Sequence, residues 1–215
     1  MNSVEPASKR CERSAIRSFT SRNADSVRAF LVSGESFIPV FNGRGCKSGA
    51  LSTLTRMKPW PEPVERVAAV LRAHAVEARL EEFPDGSPTA EAAARAVGCA
   101  LAEIVKSLVF MCDDRPVLAL VPGDKRADAL RVAAAAGAGA ARVARAREVV
   151  DATGFEPGGV APFPAPNVSR VLIDRSLLRH EVVWIGAGSD MHMAGLAPQD
   201  LVRLSKAEIG DLAEP

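Results

Sequence analysis

Several common signatures are missing from this 215-residue chain, and each absence removes a class of function. Its four cysteines, Cys11, Cys46, Cys99 and Cys112, form no C-x-x-C pair and no short ligand spacing, so free thiols in a reducing cytoplasm are the simplest expectation. The three histidines, His74, His180 and His192, stand far apart with no H-x-H or H-x-x-x-H, so neither a metal nor another cofactor is expected. No window approaches the roughly 18 apolar residues of a spanning helix, which points to a soluble protein with no membrane partner. "VPGDKR" lacks the G-x-x-x-x-G-K-[ST] frame of a phosphate loop. What is present is the balance of an ordinary globular protein, with 47% apolar and 25% charged residues and a net charge of +1. The length suits one large domain, or one domain with an appendage.

The small net charge hides an asymmetry. Met1 to Arg56 carries nine basic and four acidic residues, leaving 18 basic and 22 acidic for the remainder. The first part is also serine-rich, in stretches such as "SKRCERSAIRSFTSRNADS", and shows no sustained helical or strand period, so no packed core is expected over 1–56. Three accounts fit it: an organelle-targeting peptide, a basic arm for nucleic acid, or an upstream extension of a chain whose translation starts at Met57. The domain pattern starts where Met57 does, which favours the last and puts the domain at 57–215.

From Pro61, "PEPVERVAAVLRAHAV" places Val64, Val67, Ala68 and Leu71 at helical spacing. "EARLEEF" alternates as a strand, and "DGSPTAEAAARAVGC" predicts a helix capped by Ser87, begun by Pro88 and stopped at Gly98. "IVKSLVFMC" and "RPVLALVPG" predict two strands joined by a tight turn at "DDR". "DKRADALRVAAAAGA" predicts a helix capped by Asp124, followed by a strand "ARVARA" and a helix "REVVDATG" ending at Gly154. "GFEPGGVAPFPAP" has neither period and is a shaped loop. "SRVLID", "EVVWIGA" and "MHMAGL" predict strands, and "APQDLVRLSK" a closing helix. The expected fold is therefore α/β, a mixed α+β domain whose short antiparallel strands can curl into a barrel.

Three features could carry chemistry. Lys106 stands inside an apolar strand, and alternation puts it on one face with Leu108 and Phe110, while Val105, Ser107 and Val109 take the other. A buried ammonium is costly, so Lys106 either snorkels to solvent or faces a polar pocket. Gly158 and Gly159 can expose backbone N–H groups without side-chain obstruction, which suits carbonyl or phosphate recognition; the alternative is a plain surface turn. The third feature is the polar cluster Ser189 to His192.

The order "TAEAAARAVGCALAEIVKSLVF", "RPVLALVPGDKRAD", "TGFEPGGVAPF", "DLVRLSKA" resembles the YbaK/ProX family of aminoacyl-tRNA editing domains, over roughly Val64 to Ala213. The resemblance implies a compact fold around a curled mixed sheet or barrel surrounded by helices, and hydrolysis of misacylated tRNA in trans. It implies that Lys106 lies beside the aminoacyl-adenosine, holding the 3′ end or orienting the ester. The G-x-x-x-P loop matches Gly158, Gly159, Val160, Ala161 and Pro162, whose amides would grip the aminoacyl carbonyl region and the 2′-OH neighbourhood. Catalysis is thereby assigned to Lys106, Gly158 and Gly159, and substrate binding to Thr89, Val160, Ala161, Pro162, Ser189 and Asp190. Alanyl-tRNA-clearing members carry a histidine where an ungapped alignment gives Gly186, so this chain resembles more closely the type linked to cysteinyl-tRNA(Pro). His192 could substitute only with a shifted alignment, and is otherwise an ordinary strand residue.

An aminoacyl ester is already activated, so positioning and oxyanion stabilisation can supply most of the rate. A tRNA binder needs local basic charge, which Arg79, Lys106, Lys125, Arg126 and Arg131 could supply, or a synthetase partner could deliver the tRNA. The rival class is a non-catalytic binding module, or an accessory to prolyl-tRNA synthetase.

Overall fold

The structure, a computed structural model, describes residues 28–31, 59–83 and 89–214. Its elements follow in the order β1 (Arg28–Leu31), α1 (Glu62–Ala73), β2 (Arg79–Glu82), α2 (Ala90–Val97), β3 (Val105–Cys112), β4 (Arg115–Pro122), α3 (Ala129–Ala136), β5 (Ala141–Val143), α4 (Ala146–Thr153), β6 (Arg170–Asp174), β7 (Val183–Gly186), β8 (His192–Leu196), α5 (Pro198–Ser205) and β9 (Glu208–Gly210), with short 3₁₀ turns at Leu101–Glu103 and Arg175–Arg179.

The strands form two sheets, an antiparallel one ordered β1-β2-β8-β7 and a mixed one ordered β5-β3-β4-β6-β9. A parallel bridge from Ile104 to Trp184 joins the start of β3 to β7 and carries one sheet into the other. This realises the expected curl, although β4–β6 and β6–β9 pair in parallel where antiparallel strands were expected. The space between the sheets holds the main core: Val105, Val109, Leu118, Leu120 and Ile173 from one, Leu80, Ile185, Ala194 and Leu196 from the other, with Val64, Val67, Ala68 and Leu71 of α1 packed in. Each valine, leucine or isoleucine fully buried there contributes roughly 1.5–3 kcal/mol. On the outer face of the mixed sheet, Phe110, Val117, Ala119 and Val121 pack on Val132 and Ala136 of α3. On the outer face of the other, Trp184 and Met193 pack with Ile104 against Ala93, Ala94 and Val97 of α2.

The β3–β4 hairpin closes through two aspartates with positive φ, Asp113 at 45° and Asp114 at 62°, the geometry a two-residue hairpin turn requires. Two predicted caps move. α2 is capped by Thr89, whose hydroxyl accepts from Ala92 N at 3.1 Å, so the helix begins beyond Pro88; Ser87 lies outside the described residues. α3 is capped by Asp128, which accepts from Leu130 N at 2.8 Å, rather than by Asp124. Both aspartates suit a cap, but "GDKR" between the end of β4 and "AD" is long enough to form its own turn, leaving Asp124 in it. β9 has only three residues and gives no periodic signal; it forms because β6 offers an edge.

Four residues of the segment expected to carry no core, Arg28–Leu31, form β1 and pair antiparallel with β2 from Arg28↔Glu82 to Leu31↔Arg79. The rest of 1–58, and with it the choice between extension, arm and targeting peptide, lies outside the described residues. Among the described residues no helix is long and apolar enough to cross a membrane, and no cluster of His, Cys, Asp and Glu could hold a metal ion.

Candidate functional site

The glycine loop starts where α4 stops. Gly154 takes a left-handed φ of 72°, ending the helix, and the buried hydroxyl of Thr153 donates to Val149 O at 2.7 Å and accepts from Phe155 N at 3.1 Å. From α1, Arg66 donates to Gly154 O at 2.7 Å and lies 4.7 Å from the centre of the Phe155 ring. "TGF" is thus an anchor for the loop, and its only trace in the sequence is the helix-stopping glycine.

Beyond it, Gly158 has φ +95°, and a Cβ added there would come 3.9 Å from Asp190. Gly159 is tighter. A Cβ on it would lie 2.6 Å from Ser189 Cα and 2.8 Å from Ser189 N and C, so the backbone of the β7–β8 turn occupies the place of a side chain. The Gly159 carbonyl accepts from Gly188 N at 3.0 Å. The next carbonyl, Val160 O, lies 2.8 Å from where a Cβ on Gly186 would be. Gly186 therefore gives the loop room to cross the end of β7, which explains why no larger residue stands there.

Gly158, Gly159, Val160, Ser189 and Asp190 are thus brought together from two distant stretches of chain. Val160, Ala161 and Pro162 are buried, Ala161 wholly so, and Gly158 is the exposed residue of the loop's glycine pair.

Lys106 follows the predicted alternation. Val105 and Val109 point into the core between the sheets, while Phe110, with Leu108 beside it, packs towards α3. Ile104, bridged to Trp184, packs with it under α2; two residues further along each parallel chain, Lys106 and Gly186 fall on that same face. The half-buried Lys106 amine donates to the carbonyl of Lys125. Burial pulls its pKa below the ordinary lysine value, Asp124 and Glu91 oppose that shift, and Arg126 adds to it. Thr89 comes no closer than the first turn of α2, its hydroxyl held by Ala92 N, but it places Glu91 near the Lys106 charge.

Two residues of the expected basic patch are committed elsewhere: Arg79 pairs with Glu81 and lies 5.8 Å from the Trp184 ring, and Arg131 pairs with Asp128 at 3.6 Å. Lys125 and Arg126 remain exposed beside Lys106. A cleft of about 420 Å³ lined by Pro162 to Pro166, Arg170 and Lys206 includes neither Lys106 nor the two glycines.

His192 is the strand residue that the sequence predicts, opening β8, and in addition its buried ring makes a 2.6 Å hydrogen bond to Ser189 Oγ, directly behind the glycine loop. No spacing in the sequence signals this, because the pair forms across a turn.

Comparison with known proteins gives this geometry a context. Residues 85–204 match the family model of the aminoacyl-tRNA editing domain, a span that includes Lys106, the glycine loop and the Ser189 turn. The uncharacterized protein YwhH of Bacillus subtilis (strain 168) is 34% identical over 131 residues, covering 60% of this chain and 83% of its own length. A proline--tRNA ligase of Xanthomonas oryzae pv. oryzae is 33% identical over 137 residues, but this chain spans only 24% of that ligase. A crystal structure described as a candidate trans-editing enzyme for prolyl tRNA synthetase superposes with a TM-score of 0.67 at 31% identity, over 73% of this chain and 100% of that one. With the loop, the lysine and the mixed α/β fold all inside the matched span, the chain belongs to the aminoacyl-tRNA editing domain family, whose chemistry is deacylation of aminoacyl-tRNA.

Proposed function

We propose that this chain acts in trans in the cytoplasm, hydrolysing a misacylated tRNA of the prolyl system, with Cys-tRNA(Pro) or a similarly mischarged tRNA as substrate. The observation that carries the reading is the glycine loop wedged between Gly186 and Ser189, with Lys106 two residues beyond the Ile104–Trp184 bridge that joins β3 to the strand of Gly186. Water adds to the ester carbonyl, negative charge develops on its oxygen, and the 3′ oxygen of the terminal ribose leaves with a proton. The main-chain N–H groups of Gly158 and Val160 would bind the carbonyl region, since Gly159 N already donates to Glu156 O at 3.0 Å and Pro162 has no N–H, and Lys106 would hold the anionic 3′ end or steady the developing oxyanion. Neither task needs a nucleophilic side chain or a metal, since the bond to be broken is already activated. Asp190, beside Gly158, and Thr89, at the first turn of α2, would contact the substrate. The exposed Lys125 and Arg126 supply phosphate contacts, and prolyl-tRNA synthetase is the partner from which the tRNA would come.

Deacylation assays on a panel of mischarged tRNAs, with wild type and Lys106→Ala in parallel, test this. Turnover of mischarged tRNA(Pro) that is lost in the variant is expected. Absence of turnover on every substrate would favour a non-catalytic binding module, and turnover indifferent to Lys106→Ala would remove the lysine from the site.

A further inference from the structure

The turn that backs the glycine loop is itself held by a buried histidine. We propose that His192 is a positioning residue, which fixes the place of the loop main chain through its hydrogen bond to Ser189. The proposal rests on the assignment of 158–162 as the aminoacyl-binding element.

The chain of contact has little slack. Ser189 Oγ accepts from Met191 N at 3.2 Å and lies 2.6 Å from His192 Nδ1. Met191 N takes one of the two lone pairs of the hydroxyl, whose own proton finds its acceptor in a bare Nδ1, and this makes the ring neutral and protonated at Nε2. Main-chain bonds close the same turn, Ala187 N to His192 O at 3.0 Å and His192 N to Ser189 O at 3.3 Å. On its outer side the turn is packed against Gly159, where even a methyl group would strike Ser189. On its other side Gly188 rests against the first turn of α1, a Cβ there falling 2.6 Å from Pro63 C and O. A shift of Ser189 therefore passes directly to Gly159 and to the Val160 carbonyl. The Trp60 ring meets the imidazole edge-on, with centroids 5.4 Å apart and planes at 87°, and fixes its orientation.

The same geometry makes the latch sensitive to protonation. A proton on Nδ1 would turn the ring from acceptor to donor, so two N–H groups would converge on Ser189 Oγ while its own O–H lost its acceptor. The charge would also be buried, since His192 is 2% exposed and Nε2 has no hydrogen-bond partner among the described residues. Burial accordingly holds the pKa below the ordinary histidine value; Glu82 of β2 and Asp190 of the turn are the charged groups that oppose it.

The test compares wild type with Ser189→Ala, His192→Phe and His192→Asn. Phenylalanine keeps the packing against Trp60, whereas the asparagine oxygen restores an acceptor where Nδ1 stands. Loss of the one hydrogen bond should lower kcat about tenfold in Ser189→Ala and His192→Phe with KM unchanged, and leave His192→Asn within about threefold of wild type. The wild-type kcat should fall on acidification below the ordinary histidine value of 6.5, and His192→Phe should lack that limb. Unchanged kcat in the first two variants, or a His192→Asn as impaired as His192→Phe, would overturn the proposal. If wild type deacylates nothing, the functional assignment fails, and hydrogen exchange then decides the latch alone. Protection of the 158–161 amides should drop with acid in wild type and be low at every pH in His192→Phe, with β4 amides as the control for folding. Equal loop protection in both proteins at neutral pH would overturn it.

Discussion

The two sides of the proposed site are held by different forces. The glycine loop is fixed by close approach of backbone to backbone: Gly159 against Ser189, Gly186 beneath Val160, Gly188 against Pro63. Lys106 is fixed by charge and one hydrogen bond, with its amine on Lys125 O and Asp124, Glu91 and Arg126 around it. The first side is intolerant of volume and indifferent to salt, and pH reaches it only through the His192–Ser189 hydrogen bond behind it. The second tolerates changes of shape but responds to any change of field. A deacylase needs both, since the ester carbonyl must meet donors at fixed positions while the polyanionic tRNA end is drawn by charge.

The largest effect is expected from Gly159→Ala, which should strike both activity and stability. Its Cβ would fall 2.6 Å from Ser189 Cα, so the loop must move. Deacylation should fall about 100-fold, since displacements near 1 Å cost that much, and unfolding free energy should fall by about 1–3 kcal/mol. If denaturant melts of the variant match wild type, the steric account of this side is wrong. Lys106→Ala should lower kcat by about 100-fold, as removal of one oxyanion partner does, with stability kept within about 1 kcal/mol. A kinetic loss matched by an equal loss of folding would place Lys106 with the structural residues instead.

Away from both sides, Asp174→Asn should weaken folding without touching kinetics. Burial would raise this carboxyl, but hydrogen bonds from Ser176 and from the amides of Leu212 and Ala213, the latter two at 2.9 and 3.0 Å, outweigh it and hold the pKa below the ordinary 3.8. The carboxylate's contribution is thus present above 3.8 and lost as pH falls through the depressed folded value. Breaking this set of bonds should cost about 1–3 kcal/mol, measured by urea melts at neutral pH. A changed kcat in this variant would show that the C-terminal strand communicates with the site.

Glu148→Gln should give the smallest change. Glu148 accepts from Arg142 at 2.7 and 2.8 Å and from Arg145 N, which push its pKa down to about 2, but the pair is on the surface. Thermal melts should show a slight loss that vanishes between pH 4.5 and about 2, where the wild-type carboxylate itself is neutralised.

Much of this was legible in local pattern. The face of β3 shared by Lys106, Leu108 and Phe110 follows from alternation alone, and α1, the β3–β4 hairpin and the stop at Gly154 follow from spacing, turn residues and glycine. Where two equivalent residues compete, local pattern does not choose. Asp124 and Asp128 both suit a helix cap, and the winner depends on where β4 releases the chain. Ser189 and His192 are three apart in a strand-turn pattern, and nothing in that spacing says that the turn folds back to pair them.

The sequence by itself determined most of the helices and strands, which face of each is apolar, and that a lysine in an apolar strand and a glycine pair are candidates for the site, because those depend on neighbours a few residues away. Only the tertiary structure decided that β3 runs beside β7, that Gly186 makes room for the Val160 carbonyl, and that a buried histidine stands behind the loop. Those relations join residues many positions apart, and they are fixed by what the closed core leaves room for rather than by any local preference of the chain.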